Sequence, residues 1–146
     1  MRIRRADFAD LPALLSAVER MVSESTFAKT QKFNRSQSEE TLWFLIQNER
    51  AVCLILEDGK TFAGAYIGKA AENAVSGDRW LGEIFLWTEP KYRGHGGKLK
   101  AAAEAAAKEL GCTSAVLSHP ASAPRVGKLY QRWGYELTEL VYRKAI

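Results

Sequence analysis

Bulky side chains alternate with a period of two along residues 80–88, and this period predicts a β-strand whose two faces differ chemically. Pro90 is expected to end the strand, because proline cannot donate to a β-ladder. The positions predicted to share one face are Glu83, Phe85 and Trp87, and those predicted for the other face are Ile84, Leu86 and Thr88.

Apolar positions then recur at helical spacing after a glycine-rich segment. This spacing predicts a long helix that begins at about Gly97 or Lys98 and ends at Gly111, because glycine readily adopts the backbone angles of a helix stop. The predicted buried face consists of Leu99, Ala102, Ala103, Ala106 and Leu110.

The first quarter of the chain predicts a strand and a helix. Residues 2–5 form a short strand in this interpretation, and leucine and valine at helical spacing predict an amphipathic helix up to about Val22. Residues 23–37 have no clean period, so we expect a loop or a broken helix anchored by Phe27 and Phe33.

A second helix and a hairpin follow. Ser38 begins the predicted helix. Its predicted buried side consists of Leu42, Trp43, Leu45 and Ile46. Residues 51–57 and 62–70 flank the dipeptide Asp58-Gly59, which is a strong signal for a β-hairpin.

The last third of the chain predicts a strand, a helix and a closing sheet segment. Residues 114–118 predict the strand, and a helix is expected from about Arg125 to Trp133, where Gly134 ends it. The apolar and aromatic residues within 135–146 predict one or two closing strands.

Length and composition indicate a single domain. The chain has 146 residues, of which 47% are hydrophobic. A chain of this length can bury roughly 68–70% of its unfolded surface. Residues 1–146 are therefore predicted to form one domain.

Charge and cysteine content exclude several classes of protein. Twenty-one basic and seventeen acidic residues give a net charge of +4, which suits an anionic ligand and is too small to indicate nucleic-acid binding. Cys53 and Cys112 lack metal-ligand spacing, so we expect reduced, buried thiols and no metal site. The longest apolar run, residues 51–56, cannot span a membrane, and no signal peptide is apparent, so we expect a cytoplasmic protein.

A basic loop rich in glycine joins the strand at residues 80–88 to the alanine-rich helix. Glycine lets successive amides turn toward one point, and a helix N-terminus adds the positive end of its dipole. The loop contains Gly94, Gly96 and Gly97 together with Lys91, Arg93, His95 and Lys98. It predicts an anion site suited to a pyrophosphate, and the competing interpretation is a tight turn with solvated basic side chains.

The strand, loop and helix resemble the signature of the GNAT acetyltransferase superfamily, in which Gln/Arg-x-x-Gly-x-Gly/Ala joins a strand to a helix. Two registers fit. One begins at Arg93 and places Lys98 at the sixth position, and the other begins at Lys91 with Gly94 and Gly96. Residues 128–135, which read KLYQRWGY, are similar to the second signature of the family, Leu-Tyr-x-x-x-Gly-Phe.

This resemblance implies a fold and a cosubstrate. The expected fold is a single mixed α/β domain with a twisted, mainly antiparallel sheet of six or seven strands and helices on both faces. The expected cosubstrate is acetyl-coenzyme A. Its acetyl group would pass to a primary amine of a small molecule or peptide, and the family also allows a homodimer. The residues expected to contact the coenzyme are Leu86, Trp87, Thr88, Lys91, Arg93, Gly94, His95, Gly96, Gly97, Lys98 and Leu99.

Two residues match catalytic positions of the family. Glu83 would act as a base toward the amine, directly or through water, and Tyr130 would protonate the departing thiolate. The structural alternatives are a carboxylate on a solvated strand face and a tyrosine that packs the helix onto the sheet. His119 is expected to be exposed before a proline, and Ala123 stands where the family often has asparagine.

These departures leave a second function open, a catalytically silent acyl-coenzyme A-binding protein. A nucleic-acid binder that uses the basic loop is a remote third interpretation, because no motif of that class is present.

Overall fold

A computed structural model describes residues 1–25, 29 and 31–146. Two short 3₁₀ turns, Phe8–Asp10 and Pro90–Tyr92, supplement the regular elements. In chain order these elements are β1 (Arg2–Arg5), α1 (Leu11–Glu24), α2 (Arg35–Gln47), β2 (Ala51–Asp58), β3 (Thr61–Glu72), β4 (Arg79–Thr88), α3 (Gly96–Glu109), β5 (Ser114–Val116) and α4 (Pro124–Arg132). The predicted mixed α/β class is confirmed.

The described strands form one sheet in the order β1-β2-β3-β4-β5. The first four strands pair antiparallel, and β5 pairs parallel to β4. The predicted hairpin joins β2 to β3 through Gly59. Its φ of 61° lies in the left-handed region, which glycine adopts without strain. The described part of the chain thus has five strands, fewer than the six or seven expected.

Helices cover both faces of the sheet, as expected. Leu14 of α1 and Leu45 of α2 pack with Ile67 and Phe85 in a first core. On the other face α3 packs against β2, β3 and β4 in a second core. Its buried members include Leu56, Tyr66, Leu81, Leu99 and Ala103. No helix within the described residues is both long enough and apolar enough to cross a bilayer.

A β-bulge interrupts β4 at Ile84. The register pairs Ile67 with Phe85 and Gly68 with Glu83, so Ile84 has no partner on β3. The extra residue changes the phase of the strand, and Ile84 and Phe85 line the same cavity next to α1 and α2. The prediction that Ile84 and Phe85 lie on opposite faces is therefore wrong.

β4 and β5 stay paired over three residues only. The parallel ladder joins residues 80–82 to residues 114–116 and ends there. Beyond that point the Glu83 side chain makes the next connection, to Ser118 in the segment after β5. The outer edge of β4 from Glu83 onward therefore faces a gap in the sheet and not a neighbouring strand.

The closing strands predicted within residues 135–146 are wrong. None of these residues is in a strand, and this segment carries large apolar side chains that are at least 69% exposed, namely Leu137, Leu140, Val141, Tyr142 and Ile146. Alternating apolar residues belong to a sheet only when their backbone pairs with another strand. In this structure no described strand pairs with them.

Two details of the N-terminal half also differ from expectation. The second helix begins at Arg35, not Ser38, because the Asn34 side chain accepts a hydrogen bond from the Gln37 amide at 3.0 Å and caps it. Trp43 is half exposed and stacks on Phe8 with ring centroids 5.9 Å apart, so its predicted burial is wrong. Phe27 lies outside the described residues, and Phe33 packs at the edge of the first core.

Candidate active site

The glycine loop brings free backbone amides to the start of α3. Gly94 has a φ of 104°, which reverses the chain after the turn at Pro90–Tyr92, and α3 begins at Gly96. Among the described atoms, the amides of Gly94, Gly96 and Gly97 have no acceptor, whereas the Lys98 amide bonds to the His95 carbonyl at 3.0 Å. Free amides at a helix N-terminus form a site for an anion.

Tyr92 anchors this loop to the rest of the fold. Its ring is 9% exposed and packs in the second core, and its hydroxyl donates to Asp58 Oδ2 at 3.1 Å. Asp58 is the last residue of β2, at the hairpin turn. A hydrogen bond and apolar packing therefore tie the loop to the end of β2 and to the second core.

The basic side chains of the loop differ in what they contact. Arg93 forms an ion pair with Glu24 at 3.4 Å and lies over the Trp87 ring, 5.9 Å from its centroid. Lys91 lies over the Tyr92 ring, 5.2 Å from its centroid. His95 at the helix N-cap and the exposed Lys98 have no charged partner among the described residues. Those two side chains are the ones free to face an anion.

Several predicted coenzyme contacts are core residues. Leu99 is fully buried, and Leu86 packs beside it in the second core. Trp87 packs against the first core, and its Nε1 donor is buried with no partner among the described atoms. Leu99 can therefore offer a ligand only its backbone, whereas Leu86, Trp87 and Thr88 are all half-buried.

Trp133 covers the glycines at the start of α3 and was missed by sequence reasoning. A Cβ built on Gly96 or Gly97 would lie 3.6 Å from the Trp133 ring. The indole also stacks on Tyr130, with ring centroids 5.6 Å apart. The only local signal for this role was an aromatic residue just before Gly134, the residue that ends α4 with a φ of 89°.

Glu83 and Tyr130 are brought together by Ser118. Glu83 Oε2 accepts hydrogen bonds from the Ser118 amide at 3.3 Å and from its hydroxyl at 3.2 Å. The Tyr130 hydroxyl donates to the Ser118 carbonyl oxygen at 3.4 Å. The proposed base and the proposed acid therefore share one residue, in the gap where β4 and β5 have separated.

Desolvation controls the ionisation of both groups. Burial raises the pKa of Glu83 above its usual value of 4.5, and the two Ser118 hydrogen bonds offset part of that rise. Burial, and then the charge of Glu83, raise the pKa of Tyr130 well above its usual value of 10.0. At neutral pH the phenol is thus a proton donor, and the carboxylate is a stronger base than one in water.

Other polar aromatic residues surround this pair. Tyr66 is 1% exposed, and burial and the Glu83 charge raise its pKa. The Tyr135 hydroxyl donates to Glu104 Oε1 at 2.7 Å, which ties the end of α4 to α3. His119 lies edge-on to Tyr130 at 5.9 Å, and its Nδ1 is 2.8 Å from the Pro120 carbonyl oxygen. His119 is half-buried, so its predicted exposure is wrong.

A cavity of about 260 Å³ lies on the opposite side of β4, between α1 and α2. Its walls include Ile84, the residue after Glu83, and Phe85, but not Glu83 itself. The region therefore has three parts: a loop with free amides, a carboxylate and a phenol in the gap, and an apolar cavity on the other side of β4.

Comparison with known proteins identifies a family. The sequence profile of the acetyltransferase (GNAT) family matches residues 18–135. No curated protein matches the chain.

Solved structures share the fold over nearly the whole chain. An aminoglycoside 6'-N-acetyltransferase from Acinetobacter haemolyticus has a TM-score of 0.78 at 16% identity, with 100% of this chain and 98% of that chain covered. An aminoglycoside acetyltransferase from an uncultured soil metagenomic sample, in complex with sisomicin, has a TM-score of 0.75 at 14% identity, with 99% and 95% covered. A transcriptional regulator from Bacillus halodurans C-125 has a TM-score of 0.82 at 16% identity, with 99% of each chain covered. At these identities the likeness shows the fold alone.

Proposed function

Since the chain belongs to the acetyltransferase (GNAT) family, we propose that it transfers an acetyl group from acetyl-coenzyme A to a primary amine. The coenzyme supplies an activated thioester. In the transfer a carbon–nitrogen bond forms, the carbon–sulfur bond breaks, and one proton passes from the amine to solvent or a base while the sulfur gains another. The observation that supports this most directly is the Glu83–Ser118–Tyr130 cluster in the gap beside the glycine loop.

The loop is suited to hold the pyrophosphate. The amides of Gly94, Gly96 and Gly97 are free, and two of these glycines leave space that a Cβ would partly fill, so an anion can approach the backbone closely. Lys98 and His95 add positive charge from the first turn of α3. Because the Lys98 amide is already bonded, this assignment favours the motif register that begins at Lys91.

Glu83 takes the proton of the attacking amine, directly or through a water. Its raised pKa makes the carboxylate a stronger base than a solvated one. Ser118 fixes its Oε2 atom through two hydrogen bonds, so the other carboxylate oxygen is left to accept the proton.

Tyr130 donates toward the departing sulfur. Its raised pKa keeps the phenol protonated at every pH at which the enzyme would work. The hydrogen bond to the Ser118 carbonyl oxygen is long, at 3.4 Å, and therefore weak. Breaking it costs little free energy when the hydroxyl turns to a better acceptor.

Thiol release from acetyl-coenzyme A in the presence of a panel of primary amines tests this function. Coenzyme binding with amine-dependent thiol release supports it. Coenzyme binding without release for any amine would indicate the silent acyl-coenzyme A binder, which family membership and the two acetyltransferase neighbours disfavour.

A further inference from the structure

The cavity between α1, α2 and β4 has apolar walls. Val18 and Met21 of α1, Leu42 and Leu45 of α2, and Ile84 and Phe85 of β4 line it. Its volume of about 260 Å³ falls just below the roughly 300–1,000 Å³ typical of pockets for drug-sized ligands. The cavity is therefore suited to a small organic body, one that buries apolar surface.

Ile84, the bulged residue of β4, belongs to the lining of this cavity. Ile84 has no partner on β3 and is half exposed, although it lies in the middle of a strand. Its side chain lines the cavity, and the residue before it is Glu83. For acetyl transfer, the nitrogen of an amine whose apolar part fills the cavity has to reach Glu83 through the gap where the β4–β5 ladder has ended.

The charge of the cavity selects against polycations. Among the described lining residues Lys32 is the only one with a formal charge, and the polar ones are the neutral side chains Gln31, Asn34, Gln37, Ser38 and Thr41. The sequence between α1 and α2, residues 25–34, reads STFAKTQKFN and contains no aspartate or glutamate. The nearby Glu24 is paired with Arg93 at 3.4 Å.

A cation that moves from water into such a site loses hydration free energy. No carboxylate among the described lining residues offsets that loss. A substrate with several ammonium groups would also meet repulsion from Lys32. One ammonium group is tolerated if it lies at Glu83, where it loses its proton.

On the basis of the acetyl transfer proposed above, we propose that the acceptor is a primary monoamine with an apolar body, and not a polyamine or an aminoglycoside. Specificity then comes from buried alkyl or aromatic surface. Each methylene added in such a pocket is worth roughly 10–200-fold in kcat/KM until the pocket is full.

The test compares phenethylamine and a series of linear alkylamines with spermidine and kanamycin as acceptors. Thiol release should show kcat/KM rising at least about tenfold with each early methylene of the series. Phenethylamine should exceed both polycations. A preference for spermidine or kanamycin would overturn the inference and leave acetyl transfer intact.

Ile84→Glu places a carboxylate in the cavity and should reverse this preference. Val75→Glu is the matched control, because Val75 is 97% exposed in the loop between β3 and β4. Equal melting temperatures and coenzyme affinities would show that both variants are intact. Unchanged acceptor preference in an intact Ile84→Glu protein would contradict the inference.

Calorimetry decides the case in which no amine is acetylated. Binding of phenethylamine to the parent protein, lost in Ile84→Glu and retained in Val75→Glu, would support the cavity as an apolar amine site although the proposed function had failed. No binding of phenethylamine to the parent would refute it.

Discussion

Gly97→Ala should make the protein more stable and its coenzyme binding weaker. Gly97 lies in the first turn of α3 and does not have a positive φ, so alanine fits its backbone. The added Cβ would lie 3.6 Å from the Trp133 ring, which is ordinary van der Waals contact. Replacing glycine by alanine in a helix stabilises by about 0.5–1 kcal/mol, or about 1–4 °C in melting temperature for a chain of this size.

On the proposed placement of the pyrophosphate, the same methyl group would crowd its approach to the Gly97 amide. Loss of one hydrogen bond to a charged group costs about 1.5–3 kcal/mol, which is a roughly 10- to 150-fold rise in Kd. Calorimetry with coenzyme A and thermal melting of the free protein measure the two effects separately. Lys144→Ala, far along the exposed C-terminal segment, is the control and should change neither.

The predicted rise in melting temperature and the predicted fall in coenzyme affinity together distinguish this effect from general damage to the fold. A variant that merely damages the fold would melt lower and bind more weakly. If Gly97→Ala melts higher and binds coenzyme A as tightly as the parent, the amides at the start of α3 do not hold the pyrophosphate.

Three further changes concern the Glu83 cluster. Glu83→Gln should slow turnover with little change in coenzyme affinity, and it should raise the melting temperature at neutral pH. The folded state binds the Glu83 proton more tightly than the unfolded state, so the free energy of unfolding falls as pH rises through the raised pKa of Glu83. Glutamine does not ionise and therefore avoids that loss of stability. An unchanged turnover rate across pH would contradict the role of Glu83 as a base. Ser118→Ala removes a hydrogen bond that lowers the pKa of Glu83, so the acidic limb of the pH–rate profile should move to higher pH. An acidic limb at the parental pH would mean that Ser118 does not lower the pKa of the base. Tyr130→Phe keeps the stacking on Trp133 and should slow thiol release by about 10²–10⁴-fold with normal melting, whereas parental turnover would make Tyr130 a packing residue.

Local sequence determined the elements that depend on neighbouring residues. The Asp58-Gly59 turn, the stop of α3 at Gly111 and the glycine loop are present where they were predicted, and Gly111 has a φ of 80°. Each of these features depends on the backbone freedom of glycine or on a hydrophobic period within a few residues. The two family signatures also identified the fold, because they occur in order around one strand and two helices.

Sequence periodicity failed where the result depended on pairing between distant segments. The alternation along β4 gave no sign of the bulge at Ile84, because a bulge is defined by the register with β3. Similarly, the alternation in residues 135–146 predicted strands, but these residues pair with none of the described strands.

Tertiary structure alone decided which side chains meet. Ser118 has no sequence pattern that relates it to Glu83, 35 positions earlier, and the two meet because the β4–β5 ladder ends after three residues. Trp133 reaches Gly96 and Gly97 because α4 packs beside the start of α3. Residue types and short spacings predicted an anion site and two candidate catalytic groups, whereas the end of a ladder and the packing of a helix determined their geometry.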